Sequence, residues 1–377
     1  MLYILVFFVL AVLSFFEVFS RPKSIASRRL LISFICFVFL VLSTIRWERG
    51  TDWLSYYDYF STIHIIPFLD NQRFEIGYKI VNYLVGYVTS DYTVLLFFLA
   101  LTVFVFQKNA VIKLAEQSLV AKTNGKEENR YVYPLTMLLI IWSLYLGNVF
   151  IVRTTISFII LFYSVYHIHK KNLIKFIFLV VLATLFHRSS VVFLLAYCIY
   201  HLRLNKKNFF LSIALAPFIV YFFDTIMLVM AGMLGGLYEY KVTNYLNISG
   251  AGSSITGIAN NIMLILLFSF LYFKKGFRNN AQFNGMFNLF YFGSIIYIGT
   301  YLSSPSLTRI ALPFMMSQVV LLTYIFDWIQ RKEIRVIVFS ILIFYLLLRN
   351  YSVISSYWDL FIPFKTIFNK GLDVIIY

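Results

Sequence analysis

Charge is what this sequence has least of. Only 13% of its 377 residues are Asp, Glu, Lys or Arg, about half the share found in soluble domains. That shortage excludes an ordinary water-facing globule. No polar stretch is long enough to bury a core of its own, which excludes a second, soluble domain. Cysteine is scarcer still: Cys36 and Cys198 are the two, and both lie in apolar runs. They rule out a disulfide framework or a cysteine metal site and read as small core hydrophobes. Walker loops, HExxH and Gly-x-Ser-x-Gly are missing. Nothing points to a bound nucleotide, zinc or any other cofactor or metal. Internal repeats and low-complexity tracts are also missing.

What is present is grease. Hydrophobic residues make up 61% of the chain, and the mean hydropathy is +0.82. Apolar runs long enough to cross hydrocarbon recur from end to end. They are continuous rather than alternating, which excludes a β-barrel. The expected fold is an all-α polytopic integral membrane protein. It is a single domain, 1–377, with about 12 transmembrane helices by the usual length criterion.

The net charge is +16. On a soluble protein that excess would suggest nucleic acid. Here the basic residues punctuate apolar runs, which is a topology signal, and no nucleic acid is expected. The first run, 2–19, has no basic n-region and no small-residue cleavage site, so it reads as a retained span. Arg21, Lys23, Arg28 and Arg29 close it on the cytoplasmic side. The N-terminus is then outside, and 30–45 returns outward. A long outer segment, 46–91, follows the second span, with a helix expected over 73–88. The run 92–106 goes in, and the charged segment 107–131 is cytoplasmic. Further on, 176–186 and 190–200 form a short hairpin pair hinged on His187-Arg188-Ser189. A Gly/Ser/Asn-rich outer loop follows at 235–257. Asp224 lies within an apolar run, where it either pairs in the bundle or marks a break. Both termini are expected outside.

In this topology the inner loops hold 21 of the 32 Lys and Arg, leaving 11 outside. Most of the outer ones are arginines: Arg46, Arg49, Arg73, Arg153, Arg188, Arg309 and Arg349. The positive-inside rule disfavours them there, so another requirement keeps them. Arginine is suited to bidentate binding of phosphate. Arg46, Arg49, Arg153 and Arg309 all fall near outer ends of spans. Seventeen residues separate Arg29 from Arg46, about 25 Å of helix and close to the hydrocarbon thickness. A single arginine would simply anchor a helix end or pair with an acid such as Glu48. Four at one level favour an anionic substrate in the outer leaflet.

His187 and Arg188 carry a second signal. Twelve residues separate Lys175 from His187, about 18 Å of helix and short of a crossing. The hinge therefore lies at membrane depth, where broken backbone is tolerated only inside protein or beside a cavity. Ionisable residues at that depth are functional candidates; a histidine hydrogen-bonded to a neighbouring helix is the alternative. His64, His167, His169 and His201 sit in or beside loops and read as solvated or interfacial. Asp52 and Glu75 are outer carboxylates suited to general-base work or to salt bridges with arginine. Trp53 and Tyr56 could stack on sugar faces or belong to the interfacial aromatic belt.

Arg49-Gly50-Thr51-Asp52 with Tyr56 downstream resembles the first outer motif of the EpsG/Wzy-type bacterial polysaccharide polymerases. Phe74-Glu75-Ile76-Gly77-Tyr78 is similar to that family's second motif. Val152-Arg153 at a helix start, Phe186-His187-Arg188-Ser189 and Arg309 resemble its later polar positions. One departure is that Thr154 follows Arg153, where the family often has glutamine. The resemblance implies an enzyme in the bacterial cytoplasmic membrane. Such enzymes join polyprenyl-diphosphate-linked oligosaccharide repeat units at the outer face, making exopolysaccharide, capsule or O-antigen. His187, Asp52 or Glu75 would take the acceptor proton. Arg46, Arg49, Arg153, Arg188, Arg309, Tyr56 and Trp53 would hold substrate. Membrane lipids, and the flippase and chain-length regulator of the same pathway, are the implied partners. A flippase or transporter of the same lipid-linked sugar, an O-antigen ligase and a membrane acyltransferase are the competing readings.

Overall fold

The computed structural model describes residues 2–20, 25–50, 52–65, 74–119, 122–123, 126–127, 131–150, 153–222, 225–226, 228–229, 232, 243, 255–274, 277, 279–303 and 305–369. Arg73, Val152, Asp224 and most of the 235–257 loop lie outside them; of that loop, Thr243 and residues 255–257 are described.

Uncharged runs become helices because hydrocarbon offers no partner to a backbone amide, so each segment satisfies its own. In order these are α1 (Leu2–Ser20), α2 (Ile25–Ile45), α3 (Trp53–Ser61), α4 (Ile76–Val88), α5 (Tyr92–Leu119), α6 (Pro134–Tyr145), α7 (Arg153–His169), α8 (Leu173–Thr184), α9 (Ala196–Tyr200) and α10 (Lys206–Tyr221). After them come α11 (Ile255–Tyr272), α12 (Ala281–Ser303), α13 (Leu312–Met315), α14 (Gln318–Trp328), α15 (Lys332–Ser355) and α16 (Trp358–Phe361). Four 3-10 segments punctuate them, at Leu146–Asn148, Arg188–Leu195, Pro305–Ile310 and Ile367–Asn369. A two-residue ladder, Lys122–Thr123 with Lys126–Glu127, is the one pair of strands among the described residues.

Four of the described helices are long and apolar enough to cross a membrane: Leu2–Ser20, Ser27–Ile45, Tyr92–Ser118 and Lys332–Ser355. Shorter apolar helices accompany them, including Pro134–Asn148, Leu173–Thr184 and Arg188–Tyr200. Among the described residues, helix length and apolar composition together therefore account for fewer crossings than the twelve expected.

The bundle is built by α2 on α5, α5 on α7, α7 on α8, α1 on α6 and α11 on α12. α6 is wrapped on nearly every side, with ten of its twelve residues buried. Pro134 starts it, at a position whose amide would lack a partner in any case. It ends in a left-handed turn through Leu146 and Gly147. There a Cβ on Gly147 would lie 2.8 Å from Trp142 and 3.1 Å from Phe39, so glycine serves both the turn and the close packing.

Two sequence expectations change. The helix starting at Tyr92 does not stop at Phe106 but runs to Leu119. Gln107 is buried at 1% exposure, and its Oε1 accepts from Asn148 Nδ2 at 2.6 Å. A polar side chain satisfied by a neighbouring helix costs little and does not end a span. Cys198 is exposed on α9, whereas Cys36 is buried as expected.

The polar stretch after α2 is tied to the end of the chain. Trp47 N donates to Lys365 O at 3.0 Å, and Arg46 pairs with Thr366 as an isolated bridge. The 365–366 stretch thus returns to the residues that follow α2.

Candidate functional site

The site begins with a backbone contact. Gly77, in the first turn of α4, donates its N–H to Leu185 O, just past the end of α8, at 2.8 Å. A Cβ at position 77 would lie 2.8 Å from that oxygen and 2.9 Å from Leu185 Cβ. Only glycine lets the two chains meet so closely. The contact satisfies an orphan carbonyl of α8 with an orphan amide of α4. It also fixes Glu75, two residues before Gly77, beside His187, two residues after Leu185.

At His187 the backbone turns extended, with φ −153° and ψ 113°, and the chain re-enters as the 3-10 segment Arg188–Leu195. The hinge is pinned on two sides. Ser190 N donates to His187 O at 3.0 Å, and the Ser190 and Ser157 hydroxyls hydrogen-bond, tying the hinge to α7. The Phe158 ring meets the imidazole edge-on, with centroids 6.2 Å apart.

α7 supplies the third group from its first residue. Arg153 Nη1 donates to Glu75 Oε2 in a salt bridge. Its Nε donates to the Tyr56 hydroxyl at 3.3 Å. The guanidinium lies over the Phe74 ring, 4.8 Å from its centroid, and 5.7 Å from that of Tyr56. Arg153 is therefore held by charge, hydrogen bond and two π faces together. Burial holds the Tyr56 phenol above its ordinary range, against the downward pull of Arg153, so it stays a neutral hydroxyl.

With Oε2 engaged by Arg153, Glu75 turns Oε1 towards His187, whose Nδ1 lies 3.8 Å away. That separation is too long for a hydrogen bond between them. A third oxygen, such as a sugar hydroxyl, could sit about 2.8 Å from each. The side chains of Glu75, His187 and Arg153 are 12%, 19% and 21% exposed, so the group is sheltered yet reachable. Arg309, exposed at the end of its 3-10 segment, lies within electrostatic range of His187.

The structure thus brings together Glu75, His187, Arg153 and Tyr56, with Arg309 close by. The other candidates are placed differently. Asp52 is exposed just before α3, and its charge reaches Tyr56. Arg188 is exposed beside the hinge. Trp53 is buried, its indole stacked on Tyr57 with centroids 4.9 Å apart and rings 10° from parallel; its faces are enclosed by aromatics. Arg46 and Arg49 are 2% and 4% exposed. Arg46 Nη1 donates to Arg49 O at 3.1 Å, and Arg49 Nη1 to Asp359 O at 2.9 Å. Arg49 thereby ties α16 to the stretch that follows α2, and Arg46 braces Arg49 from within that stretch.

Sequence reasoning missed what Phe74, Gly77 and the Ser157–Ser190 pair do. Phe74 and Gly77 flank Glu75, and a glycine in the first turn of an expected helix is itself a sign of close backbone approach. Nothing local announced the serines.

No curated protein and no solved structure matches the chain. The EpsG family model matches residues 29–366. That span runs from the start of α2 to the C-terminal return and takes in every group of the site. The chain belongs to the EpsG family.

Proposed function

We infer that this protein polymerises a glycan at the outer face of the bacterial cytoplasmic membrane. Membership of the EpsG family supports a polysaccharide polymerase-type role in general. The finer reading rests on one observation: a sheltered carboxylate, Glu75, set between the Arg153 guanidinium and the His187 imidazole.

The donor in this reading is a growing oligosaccharide on a polyprenyl diphosphate, and the acceptor is the next lipid-linked repeat unit. An acceptor hydroxyl sits beside Glu75 Oε1 and His187 Nδ1. Its oxygen attacks the anomeric carbon, and its proton passes to one of those two groups. The bond from the anomeric carbon to the phosphate oxygen breaks, and the diphosphate leaves with the electron pair. Arg309 and Arg188, exposed near the hinge, offset its charge, and Arg153 fixes the carboxylate. Asp52 sits at the mouth, where it can orient a sugar. Both termini lie outside in this scheme, and the product is an exopolysaccharide, capsule or O-antigen. A flippase and a chain-length regulator are the partners such a scheme calls for.

A flippase would spread polar groups over two repeats near the midplane, and the sequence shows no repeat. A ligase shares most of these features. Deleting the protein from its host and examining the lipid-linked glycans separates the readings. Accumulated single repeat units at the outer face are expected. Loss of outer-face units would indicate a flippase, and full-length polymer stranded on lipid would indicate a ligase.

A further inference from the structure

A second polar assembly lies at the other end of α7. That helix runs 17 residues, from Arg153 to His169, about 24 Å. The two ends are therefore on opposite faces of the bundle. Beside His169 a cavity of about 950 Å³ opens, framed by His169, Lys171, Tyr200, His201, Arg203 and Asn279. That volume is at the upper end of small-molecule sites. The reaction proposed above does not use it.

Its walls are braced from behind. His169 Nδ1 lies 2.9 Å from the Tyr200 hydroxyl. Tyr200 is buried, and its ring lies flush on Gly285, where any Cβ would collide with it. Lys171 is held at φ 55°, a conformation that residues with side chains rarely adopt, and its N–H donates to Ile168 O at 2.8 Å. The turn that carries Arg203 is fastened from two helices. Asn288 Nδ2, on α12, donates to Leu202 O at 2.7 Å. Tyr272, on α11, donates to Leu204 O at 3.0 Å and accepts from Leu204 N at 3.2 Å.

The charge is of one sign. Among the described lining residues there is no acid, while Lys171 and Arg203 both face the cavity. Basic loops that only set topology are solvated and need no such bracing. Here the backbone that carries both donors is held in place, and sites are built on rigid elements. An arginine fork and an ammonium suit phosphate oxygens. Tyr197 and His201, with ring centroids 5.4 Å apart and planes at 69°, form an aromatic corner into which a flat or sugar ring can fit.

We propose that this cavity binds a phosphate- or diphosphate-bearing ligand, its charged group between Lys171 and Arg203 and its ring against Tyr197 and His201. The site is separate from the Glu75 cluster and stands whether or not that cluster polymerises glycan. Two sources share this chemistry: a soluble nucleoside diphosphate, and the headgroup of a polyprenyl phosphate in the adjoining leaflet.

The test reads the cavity directly. A cysteine replaces exposed Asn279 (Asn279→Cys) in a Cys198→Ser background, in the full chain reconstituted in nanodiscs. Its alkylation rate is followed with millimolar UDP or inorganic pyrophosphate, and separately with polyprenyl phosphate in the disc. At least one ligand should slow labelling by about tenfold, and Lys171→Gln/Arg203→Gln should abolish that protection. Both residues are exposed, so the variant should keep its fold. Protection by UDP or pyrophosphate identifies a soluble ligand, and protection by polyprenyl phosphate alone identifies a lipid headgroup. No protection by any of them, or protection that survives the double substitution, overturns the proposal.

Discussion

Removing the Arg153 charge exposes how the site is held. In Arg153→Gln the Glu75 carboxylate, 12% exposed, loses its salt-bridge partner and keeps the His187 imidazole 3.8 Å away. The hydrogen bond to Tyr56 and the contacts with the Tyr56 and Phe74 rings also go. Breaking a fully buried pair costs about 3–5 kcal/mol. At 21% and 12% exposure solvent screens part of that, so about 2–3 kcal/mol is expected. Glu75→Gln leaves the guanidinium its phenol and its rings, and should cost about 1–2 kcal/mol. The double variant no longer strands a carboxylate. Its loss should fall short of the sum of the single losses by about 1–3 kcal/mol, the usual coupling of groups in contact. Reversible denaturation of the four proteins in detergent measures the cycle. Additivity to within about 0.5 kcal/mol would refute the pairing. Activity should behave differently. Groups that act as a unit are not additive in rate, so the double variant should be no slower than the worse single one.

Other substitutions probe other links of the chain of reasoning. His187→Ala should cut polymerisation about a hundredfold or more if the imidazole takes the proton; a near-normal rate with Glu75→Gln inactive hands that role to the carboxylate, and Asp52→Asn should have the mildest effect of the three. Gly77→Ala places a Cβ 2.8 Å from Leu185 O, so α4 must shift and activity should fall even though no charged group is touched; unchanged kinetics would show that this contact does not position Glu75. Arg49→Gln should increase protease cutting near Asp359, whose carbonyl it holds, and equal cutting rates would dismiss the clamp. A cysteine placed at Asn124 should stay unlabelled by an impermeant reagent applied outside, whereas labelling there would reverse the topology.

The reach of the sequence can be judged residue by residue. Uninterrupted apolar runs announced the helices because hydrocarbon leaves the backbone no other choice. The His187 hinge was visible because twelve residues cannot cross. The end of α5 was not visible: Gln107 looks like a terminus until Asn148 is seen to satisfy it. Arg153, Glu75 and His187 each stood out as a charge in grease, but their meeting depends on Gly77 and Leu185, which are 108 residues apart and carry no charge. Arg46 and Arg49 looked just like Arg153 in sequence. Only the return of the C-terminal segment gives them different neighbours. Cys198 lies in an apolar run, yet which face of a short helix is left exposed is a tertiary property.

The most direct measurement supplies the purified protein, in nanodiscs, with lipid-linked repeat units and follows chain length on a gel. The expected result is a ladder of lipid-linked polymers from the wild-type protein, and unreacted single units from Glu75→Gln and His187→Ala together. A wild-type protein that leaves the units single under conditions where it is folded, or a Glu75→Gln/His187→Ala protein that still builds the ladder at the wild-type rate, would contradict the assignment of glycan polymerisation to this site.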